Sequence, residues 1–99
     1  MYAMTGKLNA QADRRGELVE ILTQAAQLVS GLAGCRMYIV CEELANANAV
    51  CVFEIWDDKE AHDASLKDGQ VRSLIAQARH LLNGAPEGAE LHVVSGHGI

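Results

Sequence analysis

Residues 49–56 read AVCVFEIW, and both faces of this strand-like octapeptide are apolar. Cys51, Phe53 and Ile55 fall on one side; Val50, Val52 and Trp56 fall on the other, with Glu54 the only charge among them. A strand of an antiparallel sheet that faces water on one side alternates apolar with polar residues. This one does not, so both faces of its sheet need a cover. Whatever the chain folds into must supply two layers around this segment.

One cover is legible nearby. Leu18, Ile21, Leu22, Ala25, Leu28, Val29 and Leu32 recur at three- and four-residue spacing, which predicts an amphipathic helix over 14–32 with Asp13 as its N-cap. Gly31 and Gly34 mark its exit. Residues 2–8 alternate as a strand weakened by Gly6, with Tyr2, Met4, Gly6 and Leu8 on one face. Residues 35–42 form another strand, joined to 49–56 by the polar turn ELANAN, which predicts an antiparallel hairpin. Asp57 or Asp58 then caps a short helical stretch that KDGQ interrupts. Val71, Leu74, Ile75, Ala78, Leu81 and Leu82 trace a further helical stripe, NGAPEG ends it, and residues 90–95 alternate again.

The order is β-α-β-β-α-β, with the second helical segment in two pieces. It predicts an α+β, ferredoxin-like fold over 1–99 as a single domain: a four-stranded antiparallel sheet with helices on one face. The other face stays apolar, and a second sheet from a symmetric partner is its simplest cover. Aromatics are 4% of the chain, so Ala, Leu, Val and Ile must build the core.

A formal charge of −5 with only eight Lys and Arg argues against a nucleic-acid or anionic-membrane footprint. No apolar run approaches the roughly 20 residues needed to span a bilayer. MYAMTGKLNAQ lacks the pattern of an export signal, so Cys35, Cys41 and Cys51 are expected as reduced thiols in a cytoplasmic protein. Their spacing makes no metal site, although Cys41 and Cys51 could meet across the hairpin. No phosphate-binding or hydrolase motif is present.

GCRMY at 34–38, EIWDD at 54–58 and EAH at 60–62, in this order and spacing, resemble the antibiotic biosynthesis monooxygenase family, which includes quinol-monooxygenase-like members. The resemblance spans nearly the whole chain. It implies a dimeric α+β barrel, closed by two sheets packing together, and oxidation of a quinol or related aromatic by O2 without metal or flavin. The ligand would lie between sheet and helices. Ser65 and Gln70 stand where many members carry further histidines. Gly6, Ser65 and Ile75 stand at the Asn, Trp and His positions of haem-degrading relatives, which argues against haem chemistry.

On that reading His62 is the base and Glu54 helps orient the substrate, each a candidate catalytic residue, because an imidazole titrates near neutrality. Trp56 and Phe53 are candidate walls for the ligand, Trp56 being alternatively a core plug. Tyr38 could orient a substrate oxygen or fill a half-buried strand position. Arg36 is a candidate ligand contact and the expected partner of Glu54 across the hairpin. His92 and His97 carry no specific signal. The reading from another class is a dimeric module that holds a small apolar ligand and does no chemistry; an isomerase or aldehyde-processing enzyme is a third, since fold does not fix function.

Overall fold

The computed structural model describes residues 1–99. Its elements are β1 (Tyr2–Asn9), α1 (Arg15–Val29), β2 (Cys35–Glu42), β3 (Ala49–Trp56), α2 (Lys59–Ser65), α3 (Gly69–Arg79) and β4 (Glu87–His92). The four strands form one antiparallel sheet in the order β2-β3-β1-β4. This is the expected ferredoxin-like arrangement.

Strand parity sorts the two faces. In register, Tyr2 opposes Trp56, Met4 opposes Glu54, Gly6 opposes Val52 and Leu8 opposes Val50. These residues face the helices, and Val50 and Trp56 are fully buried there. The helix-side core divides into two clusters. One gathers Leu18, Leu22, Val50, Val52, Ala78 and Leu81; the other gathers Tyr2, Val29, Trp56 and Val71. Burying each large side chain stabilises the fold by about 1.5–3 kcal/mol. On the opposite face Ile39, Phe53 and Leu91 stay 42%, 44% and 46% exposed. Ile39 and Phe53 are direct cross-strand partners, as are Cys41 and Cys51, both free thiols.

The helix starts differ from expectation in one case. Asp13 does not cap α1: it sits at φ 65, and Arg14 occupies the cap position without a side-chain hydrogen bond. Arg14 instead pairs with Glu17 at 2.8 Å. Asp58 does cap α2, accepting from the Ala61 N–H at 2.8 Å. Asp68 accepts from the N–H groups of Gln70 and Val71, so KDGQ ends one helix by starting the next. Strand β4 begins three residues earlier than its alternation predicts, at Glu87 rather than Glu90. It is an exposed edge strand whose pairing with β1 comes from backbone hydrogen bonds, which side-chain pattern does not record.

Gly34 sets how α2 lies on the sheet. Its φ is +85, and a β-carbon added there would stand 2.6 Å from the Ala61 β-carbon. The Gly34 carbonyl also accepts from the Asp57 N–H at 2.9 Å. A residue without a side chain therefore lets α2 close onto the start of β2, and that contact places His62.

Candidate functional site

A cavity of about 270 Å³ lies between the sheet and helices α1 and α3. Leu22, Val52 and Ala78 from one core cluster line it together with Val29 and Val71 from the other. It is thus the seam where the two clusters fail to merge. Gly6 contributes floor without a side chain: an added β-carbon would meet nothing closer than 3.8 Å. The mid-strand glycine that weakens β1 also leaves room above it.

The polar groups of this apolar cavity are few. Glu54 from β3, Tyr38 from β2, Ser65 at the end of α2 and Arg79 at the end of α3 are among its lining. Tyr38 stands directly across the ladder from Glu54. Burial, with a further push from the Glu54 charge, raises the Tyr38 phenol well above its ordinary range, so it remains a hydrogen-bond donor at neutral pH. Ser65 spends its hydroxyl on the His62 carbonyl at 2.6 Å.

Glu54 is the distinctive group. Burial raises its carboxyl above the usual carboxylate range, against the lowering pull of the Trp56 N–H and of His62. The Trp56 indole donates to Glu54 Oε1 at 3.1 Å, which satisfies one carboxyl oxygen of a residue that also lines the cavity. Trp56 itself is a fully buried plug whose ring stands edge-on to the His62 ring at 6.0 Å.

His62 sits behind Glu54, not in the cavity wall. Its side chain is 6% exposed, its Nε2 lies 4.0 Å from Glu54 Oε1, and its Nδ1 lies 3.0 Å from Asp63 Oδ1. The Tyr2 ring covers it at 5.1 Å. The hydrogen bond from His62 holds the Asp63 carboxyl below its ordinary range. Nothing in the sequence pattern singles out Asp63. Adjacent residues on a helix do not normally face one another, so spacing gave no signal for it.

The structure brings together Glu54, Tyr38, Trp56 and His62. It separates two other candidates from them. Phe53 has the opposite parity and lies on the open sheet face, away from the cavity. Arg36 does not pair with Glu54: a register shift between Cys35 and Met37 makes it an extra residue, and it binds Asp57 at 2.6 Å instead. A bulge takes its residue out of the alternation that a cross-strand pairing assumes.

No group of three or more His, Cys, Asp or Glu side chains converges as a metal site would, and no helix is long and apolar enough to cross a membrane.

Comparison with known proteins agrees with the fold. A candidate antibiotic biosynthesis monooxygenase from Chloroflexus aurantiacus J-10-fl is 36% identical, superposes with a TM-score of 0.88 and is matched over 99% of this chain and 97% of its own. One from Deinococcus radiodurans is 25% identical with a TM-score of 0.87, over 100% and 98%. One from Nitrosomonas europaea has a TM-score of 0.91 at 8% identity, over 96% and 100%, a likeness of fold alone. No curated protein matches the chain significantly. The family model for antibiotic biosynthesis monooxygenases matches residues 1–77, and the chain belongs to that family.

Proposed function

We propose that the protein is a cofactor-independent monooxygenase that oxidises a quinol or related small aromatic with O2. The observation that carries this reading is Glu54: a half-buried carboxyl whose proton affinity burial raises, lining a mostly apolar cavity with a histidine behind it. A cavity of roughly 150 Å³ holds a benzene ring, so one of about 270 Å³ suits one or two fused rings.

In this reading Glu54 accepts the proton of a substrate hydroxyl, and Tyr38 donates to a second substrate oxygen. Glu54 passes the proton to His62 Nε2, closing the 4.0 Å gap by side-chain rotation, as such contacts commonly tighten when a ligand binds. The electron-rich anion then reacts with O2 at a ring carbon, forming a C–O bond and a peroxide. The returned proton goes to the outer peroxide oxygen; the O–O bond then breaks as the ring carbon gives up its hydrogen, releasing water and leaving a new carbonyl. The substrate supplies all four electrons; one oxygen atom enters the product and the other leaves as water.

A second copy of the chain covers the open face in this reading. Ile39, Phe53 and Leu91 form its apolar centre, and a small domain gains most from such burial. Phe53 then belongs to the seam, and Arg36 to the Asp57 pair, with neither touching the ligand.

Oxygen uptake with a panel of quinols and polyphenols tests the reading, on protein stripped of metal and checked for bound flavin. Protein-dependent uptake that Glu54→Gln or His62→Ala abolishes supports it. Ligand binding without uptake across the panel would replace it with a module that holds small aromatics and does no chemistry.

A further inference from the structure

Three carboxyl and imidazole groups stand in sequence from the cavity to solvent. Glu54 lines the cavity, His62 is buried behind it, and the side chain of Asp63 is 47% exposed. The His62 contacts are unequal: 3.0 Å from Nδ1 to Asp63, and 4.0 Å from Nε2 to Glu54. Only the first is a hydrogen bond.

We propose that Asp63 is a positioning residue: it holds His62 with the hydrogen on Nδ1, so that Nε2 presents its lone pair to Glu54. The inference rests on the monooxygenase reading for its role in turnover, though not for its geometry. Asp63 is an ionised acceptor beside Nδ1, so a lone pair on that nitrogen would face a negative charge across 3.0 Å. A hydrogen there resolves the contact. On the other side, Glu54 Oε1 at 4.0 Å is too far from Nε2 to compete for that hydrogen.

The surroundings favour the same assignment. Tyr2 of β1 and Trp56 of β3 wedge the ring from two sides, which limits its rotation. Lys59 of α2 approaches Asp63 at 3.8 Å and Glu90 of β4 at 3.2 Å. Glu54, Asp63, Tyr2, Lys59 and, through Lys59, Glu90 are therefore the titratable groups around His62. Among them only Glu54 and Asp63 reach its nitrogens. When the cavity proton arrives at Nε2, the ring becomes an imidazolium whose charge Asp63 stabilises. His62 then keeps the proton while oxygen adds and returns it through Glu54 to the departing oxygen.

The test begins with ligand-free protein and long-range proton–nitrogen correlation spectra of His62, at a pH where the ring is neutral. Wild type and Asp63→Glu are expected to carry the hydrogen on Nδ1, and Asp63→Ala to move it to Nε2. Asp63 is exposed, so these variants should fold. In turnover Asp63→Ala should lower kcat on the order of tenfold with KM unchanged, less than the roughly 10²–10⁴-fold attached to the base itself, and Asp63→Glu should restore it. A wild-type ring with its hydrogen on Nε2, or an Asp63→Ala spectrum unchanged from wild type, overturns the inference. The spectra judge Asp63 even if no quinol is oxidised, and an unchanged spectrum beside sustained uptake leaves the function standing without this role.

Discussion

Tyr38 and Glu54 face each other directly across the β2–β3 ladder, and both line the cavity. One is a phenol that keeps its hydrogen, the other a carboxyl whose affinity for a proton is raised by burial. Donor and acceptor thus stand side by side on a rigid sheet, which holds catalytic groups more accurately than loops do.

Glu54→Gln separates chemistry from stability. The amide keeps an oxygen for the Trp56 indole and cannot take a proton, so oxidation should fall by roughly 10²–10⁴-fold while ligand affinity changes little. Stability should move the other way. Because the folded carboxyl titrates above its unfolded value, the native state binds more protons between the two, and wild-type stability falls as pH rises through that window. At neutral pH Glu54→Gln should therefore be the more stable protein, and the difference should disappear on acidification below the unfolded carboxylate value. Urea denaturation across pH reads this directly.

Filling the cavity from its floor should abolish binding without harming the fold. The Gly6 site has room for a β-carbon, with no atom closer than 3.8 Å. Gly6→Leu should occupy the space above β1, block uptake of a fluorescent aromatic probe, and leave the melting temperature unchanged or raised, since glycine within a strand costs roughly 0.5–1 kcal/mol. Retained binding would place the ligand elsewhere.

The docking of α2 can be disturbed from outside the cavity. Gly34→Ala must open the contact with Ala61 and adopt a backbone conformation unfavourable for a side chain. A loss of about 1–3 kcal/mol is expected, together with lower activity as His62 shifts away from Glu54. Calorimetry and oxygen uptake on the same preparation check both.

How much of this could be read in the sequence follows from what side-chain patterns encode. The period-two alternation sorts Val50, Val52 and Trp56 onto one face of β3 and Cys51, Phe53 and Ile55 onto the other. Both faces are apolar, so it does not say which one meets the helices; only the fold puts Glu54 and Trp56 there. Alternation could not announce the bulge at Arg36, which adds a residue without changing composition. Nor could it mark the start of β4, whose residues are all exposed. The Asp63–His62 contact was invisible for a different reason: the imidazole turns along its helix toward a neighbour that spacing places on another face.

Charging the open face should separate the two copies. Phe53→Lys inserts a charge opposite Ile39 at its centre, and should yield a monomer by sedimentation velocity at concentrations where wild type is a dimer. Its helix-side core is untouched, so the circular dichroism should be unchanged. A wild-type monomer at every concentration would remove the second copy from the account.

On the proposed reading, Glu54 and the cavity promote transfer of a single oxygen atom from O2 to an aromatic ring. Turnover of an active quinol under isotopically heavy oxygen gas, followed by mass spectrometry of the product, tests it most directly. One heavy atom per product molecule is expected, with the other in water and almost no product formed by Glu54→Gln. Product without the label, accompanied by hydrogen peroxide, would make the protein an oxidase and overturn the monooxygenase reading.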